Sequence, residues 1–405
     1  MGKLSATNNL KATPSQAREL ALLIAVARVD LDPVEQNRIS DLVAESLDWD
    51  LLLVLAERHN LEPLLFTHLH RYSAGLVPPE ILQSLREECK SIARRSWILA
   101  TRLQGISAHL QAQGIKHISY KGPLFAELYY GSCALRVSND LDLIVRPSDL
   151  ARVRKALGEI GFSDQNGLTS EQQAVSFRFG FEHPFHDATG VELDLHWRVV
   201  QKFKSRSLDM EGIWQRLRLA RLFDSNVPTF CPEDMLIALC LHAGHHGWMQ
   251  LSYFCDIAQL LRTHPTLDWN IVCSHLRDSN TRRLVYVCWR LLNRHWHAEI
   301  PEEMMARASA DAHVSRLAHR VETEIWPSPV PELTTANLRW LLERSAGEDV
   351  LDRLSLLLGS IFQPAVEDFA AFRLPWILAP LYPLLRAFRL ACKGAASLWK
   401  AEYSS

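Results

Sequence analysis

The stretch from Ile115 to Val145 constrains the fold more than any other part of the sequence. It combines an apolar, strand-like run, a Lys121-Gly122-Pro123 turn and an acidic alternation in which Asp140 and Asp142 are separated by leucine. Residues i and i+2 of a strand lie on the same face, so both carboxylates would project from one side while the leucines are buried. The sequence therefore predicts a sheet whose acidic face lies close to a tight turn.

A second acidic alternation follows in the segment Phe177–Trp197, which is predicted to form a hairpin that turns at 187–190. Its second strand places Glu192, Asp194 and His196 on one face. If both acidic strands belong to one sheet, a third carboxylate joins the first pair.

Helical periodicity dominates the rest of the chain. We predict an α+β protein in which a small mixed β-sheet core with helices is flanked by all-helical regions at both ends. The predicted division is a disordered leader at 1–15, a helical region at 16–95, a sheet domain at 96–225 and a helical domain at 226–405.

Composition excludes several classes of protein. Lys and Arg number 44 against 46 Asp and Glu, so no global basic field drives nonspecific nucleic-acid binding. Eight scattered cysteines without a C-x-x-C motif, and no signal peptide, indicate a reducing and hence cytoplasmic location. No apolar run is long enough to span a bilayer.

The C-terminal tail is apolar with interspersed basic residues, which is compatible with peripheral contact with a membrane surface. Pro375, Pro380 and Pro383 interrupt a continuous amphipathic helix, so packing of the tail against the rest of the chain is favoured.

Two carboxylates at i and i+2, with a third on a neighbouring strand, are typical of sites that hold two Mg²⁺ ions and bind nucleotide phosphates. The alternative is that these acids only line the solvated face of a half-buried sheet. The nearby Lys121-Gly122 turn and the second acidic strand favour the metal site.

The residues that carry this chemistry resemble a known family. The motifs KGPLFAELYYG, DLDLIV and VELDLHW, together with Arg136, resemble the bacterial uncharacterised nucleotidyltransferases of the DNA polymerase β-like nucleotidyltransferase superfamily. The segment from Pro232 to Leu261 is similar to the helices that follow the catalytic domain in that family, so the resemblance covers residues 96–261.

The resemblance implies roles for particular residues. Asp140 and Asp142 would hold Mg²⁺ and Asp194 would complete the triad, with Glu192 as the fallback for Asp194. Nucleotide binding would fall to four residues: Lys121, Gly122, Arg136 and Ser138. The turn departs from the Gly-Ser or Gly-Gly of the superfamily, because Pro123 lacks an amide donor and no serine hydroxyl follows.

His242 and His246 are one helical turn apart, a spacing that zinc sites also use. No glutamate of the H-E-x-x-H kind accompanies them, so we expect them to pack the helical domain on the sheet or to line the cleft, together with Trp248 and Asp256. His196 either belongs to the acidic site or stabilises the edge of the sheet.

The sequence thus predicts a cytoplasmic, Mg²⁺-dependent nucleotidyltransferase that moves an NMP group from an NTP to an acceptor and releases pyrophosphate. Two alternatives stay open: a non-catalytic nucleotide-binding scaffold, which the altered turn favours, and a toxin-like or tRNA-directed nucleotidyltransferase. The acceptor itself, whether a small molecule, peptide, saccharide precursor or RNA end, is not specified by a core built around the nucleotide.

Overall fold

The computed structural model describes residues 14–164, 168, 170–199, 208–277, 279–329, 358–359, 361–362, 364, 366–372, 374 and 376–402. Residues 1–13 of the predicted leader, and the predicted helical segment around Trp340, lie outside the described residues. The described part has the predicted α+β architecture of helices around a small mixed sheet.

The N-terminal region consists of helices, as predicted. Their bounds are α1 Pro14–Val26, α2 Pro33–Ala44, α3 Trp49–Arg58, α4 Glu62–Tyr72 and α5 Pro79–Ala112. Helix α5 is continuous across the predicted division between residues 95 and 96. It ends at Ala112, and the φ of 64° at Gly114 lets the Ile115 amide return to the Leu110 carbonyl oxygen at 2.9 Å.

Within the described residues the main sheet has five strands in the order β1-β2-β5-β4-β3. The strands are β1 His117–Ser119, β2 Leu141–Val145, β3 Phe162–Asp164, β4 Glu182–Asp187 and β5 Glu192–His196. Strands β2 and β5 are parallel neighbours, whereas β1 pairs antiparallel with β2 and β4 pairs antiparallel with both β3 and β5. The two acidic strands therefore lie side by side.

The predicted hairpin is correct at its turn and wrong at its start. Asp187 accepts hydrogen bonds from the amides of Thr189 and Val191 at 2.8 and 3.0 Å, and Gly190 has a φ of 80°. The first strand begins only at Glu182, because the preceding residues complete helix α8 at Ser170–Phe179.

The other elements around the sheet are short. They are α6 Gly122–Phe125, a π-helical turn Ala126–Tyr130, 3₁₀ turns Cys133–Leu135 and Pro147–Asp149, α7 Leu150–Glu159, and α9 Met210–Gln215. A separate hairpin of β6 Arg218–Leu222 and β7 Ser225–Thr229 spans the predicted division at 225 and 226. Ala220, Leu222 and Val227 are buried at strand spacing, a signal that the helical interpretation of this region missed.

Helices return at Pro232, as predicted. They are α10 Pro232–His245, α11 Leu251–Thr263, α12 Trp269–Ser274, α13 Ser279–Trp296, α14 Glu302–Ala310, α15 Ala312–Arg320 and a π-helical turn Val321–Ile325. Near the end lie α16 Val366–Ala371, a 3₁₀ segment Trp376–Leu381 and α17 Tyr382–Glu402. No helix in the described residues is long and apolar enough to cross a membrane.

The two faces of β2 belong to different apolar cores. Leu141 and Leu143 pack into a core with α5 and α7, whereas Ile144 joins a second core that includes the N-terminal helices and α10, α11 and α13. Asp142 has the same strand parity as Ile144. The acidic face therefore points toward the helical body.

Candidate active site

The turn after β1 directs a lysine toward the acidic strands. Lys121 and Gly122 both have left-handed backbone conformations, with φ of 57° and 56°, and Pro123 occupies the first turn of α6. A left-handed conformation is costly for lysine, and such strain is concentrated at functional positions. The Lys121 side chain is buried, and its Nζ lies 3.2 Å from Oδ2 of Asp142.

Asp142 and Asp194 are register partners across the parallel strands β2 and β5. His196 lies two residues after Asp194, and its Nε2 hydrogen-bonds Oδ1 of Asp142 at 3.0 Å. Its Nδ1 lies 3.3 Å from Oε2 of Glu182 on β4. Both oxygens of Asp142 thus contact a nitrogen donor, one from Lys121 and one from His196.

Asp142, Asp194 and His196 offer ligand atoms that all lie within 4.8 Å of one another. The predicted triad instead contained Asp140, which precedes β2 and is partly buried. In the described residues Asp140 is not part of that compact group, although it influences the same carboxylates electrostatically. The fallback Glu192 is exposed at the start of β5.

The electrostatics of this acidic cluster show why it suits a cation. Burial, reinforced by the charges of Asp142 and Asp140, raises the pKa of Asp194 to about 7, although His196 opposes the shift. Burial and Asp142 also raise the pKa of Asp140. Burial would raise the pKa of Asp142 as well, but Lys121 and His196 outweigh it and hold that pKa well below its ordinary value. The carboxylates repel one another, and added positive charge would relieve the repulsion.

Arg136 contacts a carboxylate from the helical body. Its Nε and Nη2 donate to Oδ1 and Oδ2 of Asp256 on α11 at 2.9 and 2.8 Å, and the Tyr130 hydroxyl donates to the same Oδ1 at 2.6 Å. Arg136 Nη1 donates to the Ser138 hydroxyl at 3.2 Å. Arg136 and Ser138, which were predicted to contact phosphate, thus belong to a hydrogen-bond network that joins the loop before β2 to the helices.

His242 reaches the acidic cluster from α10. Its Nδ1 lies 3.3 Å from Nζ of Lys121, and burial together with the Lys121 charge lowers the pKa of His242. A neutral imidazole can accept a hydrogen bond from the ammonium group. In the described residues neither His242 nor His246 belongs to a group of three potential metal ligands.

Aromatic rings surround His242 and extend toward the sheet. The ring centroids of His242 lie 4.5 Å from His246 and 5.1 Å from Tyr253, and His245 lies 5.0 Å from His246. Phe181, just before β4, lies 6.4 Å from His245 and 6.3 Å from His196. We call these residues, Phe181, His242, His245, His246 and Tyr253, the aromatic wall.

The sequence reasoning did not identify Glu182, Phe181 or Tyr253. The signal for Glu182 is its register position opposite His196, which requires the pairing of β4 with β5. Asp256 carried a clearer signal, since it is a single acid among buried apolar residues of α11.

Comparison with known proteins assigns the family. The family described as uncharacterised nucleotidyltransferase matches residues 45–297, which is more than half of the chain. The chain belongs to this family. It is therefore a nucleotidyltransferase, an enzyme that transfers a phosphorus-containing group, and the resemblance found in its motifs is confirmed at this level.

Among solved structures, the chain is similar to an antigenic nucleotidyltransferase-like protein from Paracoccidioides brasiliensis. The identity is 15%, the TM-score is 0.33, and the match covers 50% of this chain and 93% of the other. No curated protein matches the sequence.

Proposed function

We propose that this nucleotidyltransferase transfers an NMP group from an NTP to an acceptor hydroxyl, with release of pyrophosphate, and that it requires Mg²⁺. We place it among the bacterial members of the DNA polymerase β-like superfamily, with residues 96–225 as the catalytic domain between helical regions at 16–95 and 226–405. Its eight free cysteines support a cytoplasmic location.

One observation carries the proposal. Asp142 and Asp194 are direct partners on parallel strands, and the Lys121 ammonium lies 3.2 Å from the more buried of the two. This geometry combines oxygen ligands for a hard cation with a positive charge for phosphate. A solvated sheet face would leave the acids exposed, whereas Asp142 is buried.

The donor set fits a divalent cation. Asp142 and Asp194 would hold it, with Asp140 or His196 completing the ligands, and we propose that two such ions bind. When bound, Mg²⁺ would neutralise the charge that develops on the transferred phosphoryl group.

The side chains of the chain supply the other parts of the reaction. The Lys121 ammonium binds phosphate oxygens as a point charge, replacing the amide and hydroxyl donors that the Gly122-Pro123 turn lacks. The Asp194 carboxylate would take the proton of the attacking hydroxyl. A bond forms between the acceptor oxygen and the α-phosphorus, the bond to the bridging oxygen breaks, and pyrophosphate leaves.

We propose that the aromatic wall binds the nucleobase. It begins 3.3 Å from the Lys121 ammonium, at His242, and includes the exposed His246. Aromatic faces stack with any base. Because the wall lies on the side of the helical body, the base would lie there too, and the acceptor would approach from another side of the site.

The test is pyrophosphate release by the purified chain with each NTP, Mg²⁺ and a cell extract that supplies acceptors. Asp142→Asn should lower the rate by at least about a hundredfold, because it removes a charge that the phosphoryl transfer requires. The matched control is Asp224→Asn, whose side chain is 97% exposed. If Asp142→Asn retained the wild-type rate, the assignment of the acidic cluster would be wrong.

A non-catalytic nucleotide-binding scaffold is the second candidate. The observation that favours it is the Lys121–Asp142 ion pair, in which a cation of the chain itself neutralises a proposed ligand. Calorimetric titration with NTP and Mg²⁺ separates the two: binding without pyrophosphate release in any extract would support the scaffold. The tRNA-directed alternative predicts steep salt dependence of acceptor binding, which the net charge of −2 does not favour.

A further inference from the structure

Helix α17, the last helix in the described residues, directs two arginines and a tyrosine inward. In α17, Tyr382 is fully buried against Phe369, and its hydroxyl donates to the Phe372 carbonyl oxygen. One and two turns later, Arg386 and Arg389 both pair with the buried Asp368 of α16. These residues at i, i+4 and i+7 form the stripe that attaches α17 to the described residues beside it.

The opposite stripe is apolar and exposed. Leu384 and Phe388, one turn apart, expose 61% and 63% of their surface, and Leu381 precedes them on the same side. Ile377 and Leu378 of the preceding 3₁₀ segment are also exposed, Ile377 by 73%. We call these five residues the apolar stripe. An arrangement with large apolar side chains outward is unusual for a helix that faces water alone.

The prolines do not break this helix. Pro380 lies in the 3₁₀ segment and Pro383 lies in the first turn of α17, where a missing amide hydrogen leaves no intrahelical bond unmade. The helix then continues to Glu402. The continuous helix therefore begins after Pro380, and its apolar side lies beyond the interruption that the prolines were predicted to cause.

The charge of the segment that contains α16 and α17 indicates what kind of surface the apolar stripe contacts. Residues 366–402, which span α16 to α17, contain five basic residues, Arg373, Arg386, Arg389, Lys393 and Lys400, and three acidic residues, Glu367, Asp368 and Glu402, so the segment has a net positive charge. A second copy of the same segment would bring like charges together, which disfavours a symmetric helix pair. An anionic surface attracts a segment with this net positive charge, although Arg386 and Arg389 themselves pair with Asp368 on the inward stripe.

We propose that the apolar stripe docks on an anionic phospholipid surface, with Leu384 and Phe388 inserted at the boundary between headgroups and acyl chains. Exposed apolar side chains next to lysines and arginines are the composition of helices that lie in the plane of a membrane interface. The enzyme would then act at a membrane surface.

Sedimentation of the full-length protein with sucrose-loaded vesicles tests the proposal. The protein should sediment with vesicles of phosphatidylcholine and phosphatidylserine, less with phosphatidylcholine alone, and less at high salt. The double variant Leu384→Glu/Phe388→Glu should weaken sedimentation at least about tenfold, since it removes two inserted apolar side chains.

Val34→Glu/Leu219→Glu is the matched control, because both residues are exposed apolar positions far along the chain from α17. All variants replace exposed side chains, and measuring their thermal transitions checks that they are folded. Wild-type protein that stays in the supernatant at low salt would overturn the proposal, as would equal sedimentation of the α17 variant and the wild type. A wild-type dimer that dissociates in the α17 variant, without vesicle binding, would assign the stripe to a second copy instead.

Discussion

At the residue scale, the two cations near the acidic cluster have different partners and therefore different expected roles. Lys121 contacts Asp142 and His242 inside the site. Arg136 instead forms a bidentate pair with Asp256, so the Asp256 carboxylate already neutralises its charge in the absence of nucleotide. The geometry thus favours Lys121 as the phosphate ligand and Arg136 as a residue that positions the loop before β2.

Replacing Arg136 with Met tests this difference. The variant leaves Asp256 buried without its main cationic partner, so the free energy of unfolding should fall by roughly 3 kcal/mol. Adding Asp256→Asn should restore part of the loss, because the uncompensated charge disappears. Urea denaturation measures both effects, and Arg307→Met, in an exposed helical ion pair, is the control that should change stability little. Unchanged stability with an increased KM for NTP would show that Arg136 contacts phosphate directly.

Sequence reasoning predicted the local features of the site better than its long-range partners. The parity of Asp142 and the turn at Lys121 follow from neighbouring residues, and the structure places the two side chains together. The sequence left His196 as an accessory candidate, and the register of β2 with β5 is what brings it closer than Asp140 to the other two ligands. The Asp256 and His242 contacts arise from helices that lie 120 residues or more along the chain, which periodicity does not reveal.

At the element scale, the ends of helices were predicted from caps and prolines. The ends of strands were predicted less accurately than the ends of helices. The turn at 187–190 is determined by the hydrogen bonds of Asp187, a local signal. The start of β4 depends on packing of α8. Helix α5 continues through residues 95 and 96, where a domain division was predicted. Pairing and packing with distant segments determine such boundaries.

Helix α4 contains a buried acid whose ionisation opposes folding. Burial, with smaller contributions from the charges of Glu88 and Glu57, raises the pKa of Glu62 from 4.5 to about 7. Between these values the folded chain binds a proton that the unfolded chain has lost, so the stability falls as the pH rises through this window. Above pH 7 the full destabilisation is present.

Glu62→Gln should therefore raise the free energy of unfolding by about 1 to 3 kcal/mol near pH 8 and by much less near pH 5. Glu80→Gln, at an exposed acid in the first turn of α5, is the matched control for the helix-terminal position. Urea titrations at several pH values measure the difference. A gain that does not depend on pH would show that burial of the charge is not its cause.

At the scale of the whole molecule, the predicted N-terminal helices and the helices from α10 to α15 share one apolar core, whereas α16 and α17 contribute to a separate one. Trp296 Nε1 on α13 donates to the Ala27 carbonyl oxygen at 2.7 Å, and Arg58 donates to the carbonyl oxygens of Ile325 and Trp326. The sheet packs against this core through Ile118 and Ile144. The helical body therefore determines the position of His242 and Asp256 relative to the acidic cluster.

Trp326 lies at the centre of this shared core, although it follows the segment that matches the family. Its side chain is fully buried, its Nε1 donates to the Trp248 carbonyl oxygen at 2.9 Å, and its ring lies 5.1 Å from Phe254. Its carbonyl oxygen also contacts His59 Nε2 at 3.0 Å. One residue thus joins the end of α3 to α10 and α11.

Trp326→Ala should lower the free energy of unfolding by about 3 to 5 kcal/mol, because the cavity would lie in a core that cannot collapse without moving several helices. Amide hydrogen exchange should accelerate together in α3, α10 and α11 if these helices unfold as one unit. Trp97→Ala, at a half-exposed tryptophan that stacks on Phe223, is the control and should leave that exchange unchanged. Faster exchange confined to α15 would show instead that the N-terminal helices are stable without this residue, and that the regions fold separately.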